Sequence, residues 1–128
     1  MTKYLIDTHV VIWMNDEDEK ISYTVKSIIS DHKNEIIISM ASIWGLAIKI
    51  NIGKLLLGRS LEDFILFLKN SDFSFVNVEE QHLIQFIKLP LIHKDPFDRL
   101  LIATAISEDM ALITADKNIQ QYDVKWVW

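Results

Sequence analysis

The sequence predicts an α/β fold in one domain, residues 1–128: a short, mostly parallel sheet flanked by helices on both faces. Three features lead there. Segments such as YLI, IIIS and ALIT are short and almost continuously apolar, as strands covered on both faces are. Helical periodicities separate them, giving repeated strand–helix alternation. The 128 residues, 50% apolar and 24% charged, suffice for one sizeable core and are too few for two.

Each element follows in chain order. KYLID (3–7) reads as the first strand and THVVIWMN (8–15) as a short helix. The charged run NDEDEK (15–20) joins it in solvent to a second helix, SYTVKSIISDHK (22–33). EIIIS (35–39) is the second strand, and the helix after it runs through SIWGLAIKINIGKL (42–55), with Trp44, Ala47 and Ile48 at helical spacing. Gly53 stands at its C′ stop and Lys49 near its last turn, complementing the helix dipole. SLEDFILFLKN (60–70) is a helix with Ser60 as N-cap and Asp63 at N3. FSFVNV (73–78) is a third strand, EEQHLIQFIKL (79–89) a helix, DPFDRLLIATAISED (95–109) a helix, ALITA (111–115) a fourth strand and VKWVW (124–128) a terminal strand.

Composition narrows the functional classes. The net charge of −5 argues against a broad basic surface gripping duplex nucleic acid, since such affinity comes from neutralising phosphates. It leaves room for a nuclease that uses a few local cations and metal ions. No apolar run approaches the roughly 18 residues needed to span a bilayer, and the start MTKYLIDTHV lacks a secretory pattern. The chain has no cysteine, which suits a cytoplasmic location and excludes disulfides and thiolate zinc sites. There is no glycine-rich phosphate loop.

Ligands of open α/β sheets gather at the carboxyl ends of the strands, so the residues placed there matter most. Asp7 ends the first strand and Asp116 stands just past the fourth. Asp98 falls at N3 of the DPFDRLL helix, behind Asp95 as N-cap and Pro96 at N1. Each acid alone also fits a local role: a turn former, a cap, or a partner of the helix dipole. Together, three carboxylates from distant parts of the chain repel one another unless a cation sits among them, and hard oxygen ligands suit Mg²⁺ or Mn²⁺. Such ions support phosphodiester hydrolysis. Arg99 either pairs with a neighbouring acid or meets a substrate phosphate. The four histidines show no metal-ligand spacing; His9, two residues after Asp7, either touches substrate or takes the more common local structural role, and His82 takes a place on a helix surface. Trp13, Trp44, Trp126 and Trp128 read as core or interface aromatics.

Gly45 is the anomaly. It occupies a helix interior, where glycine costs about 1 kcal/mol relative to alanine, in a chain that has only three glycines.

Three stretches, YLIDTHVVIWMN (4–15), ISMASIWGLAIKINIGKL (38–55) and HKDPFDRLLIATAISEDMALITADKNIQQYDVKWVW (93–128), resemble the PIN-domain ribonucleases, in particular the VapC-type toxins of toxin–antitoxin pairs. The resemblance implies a PIN-like (Rossmann-like) fold and Mg²⁺- or Mn²⁺-dependent cleavage of RNA, commonly tRNA or ribosomal RNA. It also implies a cognate antitoxin and a homodimer. Asp7, Asp98 and Asp116 fall on three of the family's catalytic, metal-binding acids, with Thr8 and Thr114 at the supporting hydroxyl positions. The remaining family acid is a glutamate after the tryptophan of SIWE; here that position is Gly45, a vacancy that makes weak or absent activity the expectation. The alternative is an inactive module that keeps antitoxin binding, and Trp44 with INIGKLLLG (50–58) would form part of the antitoxin groove. An aspartate-nucleophile phosphatase also begins with a strand-ending aspartate, but its usual second aspartate, two residues on, is His9 here.

Overall fold

A computed structural model describes residues 2–128. Its elements run β1 (Lys3–Ile6), α1 (Thr8–Asp16), a 3-10 turn (Asp18–Lys20), α2 (Tyr23–Ser30), β2 (Glu35–Ser39), α3 (Met40–Asn51) and α4 (Leu61–Asn70). There follow β3 (Ser74–Val76), α5 (Glu80–Phe86), α6 (Pro96–Glu108), β4 (Ala111–Ile113), α7 (Lys117–Gln120) and β5 (Trp126–Val127). The five strands form one sheet in the order β3-β2-β1-β4-β5, parallel at every pairing. From β1 the chain builds outward through β2 and β3, then returns to the other side of β1 with β4 and β5. The switch in strand order therefore lies between β1 and β4, where a ligand crevice opens in sheets of this kind.

Strand side chains alternate between the two faces, and two cores result. Ile6, Ile36, Ile38 and Ile113 point to the face covered by α1 to α4, where they meet Val10, Val25, Leu46, Phe64 and Leu68. Leu5, Ile37 and Leu112 point to the opposite face, packed by Leu101, Ile102 and Ala105 of α6 and by Ile119 of α7. Coverage on both sides explains why the centres of β1, β2 and β4 are apolar at consecutive positions.

Helix boundaries follow local chemistry. Ser60 Oγ accepts from the Asp63 N–H at 3.1 Å and opens α4. Asp95 Oδ1 accepts from the N–H groups of Phe97 (2.9 Å) and Asp98 (3.1 Å), with Pro96 at the first helical position of α6. At the end of α3, Gly53 N–H donates to Ile50 O (3.1 Å) and Lys54 N–H to Lys49 O (2.8 Å), the paired bonds of a Schellman stop. Gly53 has φ 74°, the left-handed conformation that favours glycine.

Four expectations need correction. The second helix stops at Ser30 rather than Lys33, with Asp31 extended at its C-cap. The fifth helix stops at Phe86 rather than Leu89: Pro90 pushes Leu89 out of the helical region, and Leu89 turns into the core instead. The short α7 has no counterpart in the sequence reading, since four residues carry no periodicity. His82, placed at a helix surface, is fully buried. Its Nδ1 accepts from the Glu79 N–H (3.1 Å), capping α5, and its Nε2 meets Glu108 Oε2 at 2.7 Å on α6.

Gly45 and Gly53 differ in a way that stability measurements resolve. Gly45 has helical backbone, and a Cβ there would meet Phe97 at 3.5 Å, an ordinary contact. Gly45→Ala should therefore stabilise the fold by about 0.5–1 kcal/mol. Gly53→Ala should destabilise it by about 1–2 kcal/mol, because alanine is strained at positive φ. Denaturant titration of the two variants should give opposite signs.

Candidate active site

Asp7 follows β1 at the switch point and caps α1, its Oδ1 accepting from the His9 N–H at 3.3 Å. It is 2% exposed. Across the switch point Thr114, just past β4, donates from Oγ1 to Asp7 Oδ2 at 2.8 Å, a bond between residues 107 apart in sequence. The same Thr114 oxygen accepts from the Asp116 N–H at 3.0 Å. One hydroxyl thus positions the first acid through its proton and the backbone of the third through its lone pair. Asp116 in turn opens α7, its Oδ1 accepting from the Asn118 N–H at 2.8 Å.

Asp98 reaches the same end of the sheet from the first turn of α6 and is also buried. Its pKa is pushed up from 3.8 to about 6, chiefly because burial penalises the charged form, with Asp95, Asp7 and Asp116 adding repulsion. A hydrogen bond from His93 opposes the rise, with Nε2 of the ring 3.2 Å from Asp98 Oδ2. The three acids therefore share one electrostatic neighbourhood. Among the described residues they are not drawn into a ready-made cluster of three His, Asp or Glu ligands.

The donor chemistry fits a hard divalent cation that keeps several waters. The groups are all carboxylates, the hard oxygen donors that such an ion takes. Asp7, Asp98 and Asp116 are the carboxylates at this end of the sheet that could serve as ligands of such an ion.

A cavity of about 110 Å³ adjoins the acids, with Thr8, His9, Gly45, Lys49 and Asp98 among its walls. Gly45 faces it from α3, where only the Phe97 ring lies within reach of an added Cβ. The half-exposed His9 ring also borders this cavity and stands 3.8 Å from Asp7 Oδ1, and pairing with Asp7 raises its pKa.

Other expected site residues sit differently. Thr8 donates to Ser42 Oγ at 2.8 Å rather than to an acid, tying α1 to α3. Arg99 is neither paired with an acid nor free to meet substrate. It is 5% exposed and donates from Nη1 to Pro90 O (2.8 Å) and Tyr122 Oη (3.1 Å), with its guanidinium over the Phe86 ring. Aromatic roles divide as well. Trp13 packs edge-on to Trp128 at 5.8 Å, whereas Trp44 is 63% exposed and leans on Phe97 at 5.3 Å.

Beside the acidic end runs an apolar groove of about 290 Å³, lined by Trp44, Leu83, Phe86, Pro96, Phe97 and Leu100. INIGKLLLG contributes nothing to its walls. Leu57 is buried in the core, and Ile50 and Leu55 pack against it. The sequence reading also gave no site role to His93 or Tyr122, whose significance depends on contacts across 29 residues.

The chain matches the PIN domain over residues 4–125. It belongs to the PIN domain family. No curated protein matches it by sequence. Solved structures of similar fold include VapBC2 of Rickettsia felis bound to a DNA fragment from its promoter, at TM-score 0.75 and 15% identity, covering 98% of each chain. VapBC-1 of nontypeable Haemophilus influenzae matches at TM-score 0.69 and 18% identity, over 98% of this chain and 97% of that one. FitAcB of Neisseria gonorrhoeae matches at TM-score 0.67 and 18% identity, over 98% and 96%. At such identities the likeness establishes the fold.

Asp98 gives this PIN domain a testable pH dependence. A carboxyl whose folded pKa is raised favours folding when protonated, so its contribution is full below its unfolded pKa and is lost as pH rises through the folded value. In EDTA, stability should fall from near pH 3.8 to just above 6. Asp98→Asn should remove that component, which denaturant titrations of both forms across the window will register.

Proposed function

We propose that the chain is a Mg²⁺- or Mn²⁺-dependent endoribonuclease toxin of a toxin–antitoxin pair, acting as one domain on phosphodiester bonds of tRNA or ribosomal RNA. In this reading Gly45 replaces one catalytic acid, leaving activity weak or absent. The observation that carries it is the shared cavity of Asp98 and Gly45, beside Thr8 and His9, with Asp7 buried at the switch point of the PIN sheet. The Cβ of a glutamate at 45 would meet only the Phe97 ring, at an ordinary contact distance. Similarity to the VapBC structures supports the toxin class, and a cytoplasmic homodimer is part of the same reading.

Asp7, Asp98 and Asp116 would hold the ion, Asp116 through water. When bound, the ion polarises the phosphate and lowers the pKa of an attacking water. The chain's own residues hold the frame. Thr114 keeps Asp7 oriented, while the half-exposed His9 ring and Lys49, both on the cavity wall, offer positive charge to an RNA phosphate. Burial of Asp98 concentrates the electrostatic demand at the point where charge develops.

Gly45 also favours a second reading, an inactive module that keeps antitoxin binding. In both readings the groove of Trp44, Leu83, Phe86 and Phe97 receives apolar side chains of the antitoxin. A basic residue of the same tail lies among the acids.

Cleavage of total tRNA separates the two. With Mn²⁺, Gly45→Glu should raise the rate on the order of a hundredfold or more over the parent, the usual scale for one positioned electrostatic group. EDTA should abolish it, and the variant should arrest growth when expressed without antitoxin. Strong EDTA-sensitive cleavage by the parent, unimproved by glutamate, would show that position 45 is not a missing acid.

The groove makes its own prediction. Trp44→Ala and Leu83→Ala should each weaken antitoxin binding by about tenfold or more, as central interface anchors do. Calorimetry with unchanged affinity for both would remove the groove from the interface.

A further inference from the structure

Asp98 is held by a relay whose hydrogen-bond directions follow from donor and acceptor capacity. Tyr122 Oη has one proton to give and two lone pairs to fill. Arg99 Nη1, which can only donate, approaches it at 3.1 Å, and the His93 backbone N–H donates to it at 3.2 Å. Both lone pairs are then occupied, so the hydroxyl must donate. Its nearest acceptor is His93 Nδ1 at 2.8 Å; the His93 carbonyl, at 3.5 Å, is the weaker alternative. With Nδ1 accepting, the neutral ring carries its hydrogen on Nε2, 3.2 Å from Asp98 Oδ2. The rings of His93 and Tyr122 stand edge to face at 5.4 Å, and Tyr122 and Arg99 are buried, so little room exists for the imidazole to turn over. Arg99 is anchored independently by Pro90 O at 2.8 Å.

We infer that His93 is a positioning residue for Asp98: Tyr122 and Arg99 lock its Nε2–H tautomer, and that hydrogen holds Asp98 Oδ2 and leaves Oδ1 without a hydrogen bond among the described residues. The arrangement joins three separate segments, namely α6, the loop before it and the turn after α7. Orientation of a ligating carboxylate by a hydrogen-bonded neighbour is the usual device for presenting a metal ligand in one geometry. The inference rests on the proposed metal site, and it is distinct from a brace for the 87–95 loop, which would need no particular tautomer.

Two measurements on the full chain test it. Imidazole nitrogen shifts of the metal-free protein should report His93 as the Nε2–H tautomer; the Nδ1–H tautomer would overturn the relay. Electron paramagnetic resonance titration with Mn²⁺ gives the second readout. His93→Ala should weaken Mn²⁺ binding about 10- to 100-fold, the range found for lost outer partners of metal ligands. Tyr122→Phe should weaken it in the same direction while the buried ring stays packed. His93→Gln, whose side-chain amide reproduces the Nε2 donor, should recover most of the loss. Mn²⁺ binding equal to the parent in both His93→Ala and Tyr122→Phe, with both folded by circular dichroism, overturns the positioning role. If Mn²⁺ fails to bind the parent, the metal-site reading falls and takes the positioning role with it.

Discussion

Asp7 lies buried at the carboxyl end of β1, where the strand order reverses, and a carboxylate so placed needs hydrogen bonds or a cation to remain there. Thr114 meets that requirement from β4, and its oxygen simultaneously sets the backbone of Asp116. The pairing of β1 with β4 is thus also the alignment of the first acid with the third. Parallel register places Ile6 opposite Ile113, so the residue after each strand arrives at the crevice together. Moving that register by one residue would turn the core face of β4 to the wrong side and take Thr114 from its partner.

The same end of the sheet accumulates unfavourable electrostatics that the rest of the molecule tolerates. Asp95 must be an acid or its equivalent to cap α6, yet its charge adds to the rise in the pKa of Asp98. Burial of Asp98 adds more, and His93 offsets part of it. Gly45 acts in the opposite direction, since a glycine there brings no further charge to the cavity. A local rule broken in a helix interior, with no strain to explain it, is characteristic of a functional position. The helical cost of glycine is small beside the cost of a further buried, unpaired carboxylate.

The apolar groove and the acidic cavity meet at one helix. Trp44 and Gly45 are consecutive on α3, about 100° apart around its axis, so one faces the groove and the other the acids. Phe97 lies in the wall of both and touches both neighbours, Trp44 through its ring and the space above Gly45 through its edge. An occupant of the groove would thus lie directly beside the charged crevice, where apolar burial and charge pairing act on one ligand.

Sequence alone determined the architecture and most of the caps. Strand centres apolar at consecutive positions state their own burial, because successive side chains point to opposite faces and YLI or III would leave a half-exposed strand with an apolar wet face. Ser60, Asp95 with Pro96, and Gly53 carry local chemistry that needs no distant partner. Asp7, Asp98 and Asp116 were legible as acids at strand and helix ends for the same reason. What only the tertiary structure decided is which side chains across the chain would answer them. Thr114 is assigned to Asp7 by strand pairing across 107 residues, and His93 to Asp98 by a tyrosine from beyond α7. Arg99 is withdrawn from solvent by the loop that folds over it, and His82 by the packing of α5 on α6. A polar side chain in a sequence declares what it can bond. Its partner is chosen by three-dimensional proximity, which periodicity and propensity do not encode.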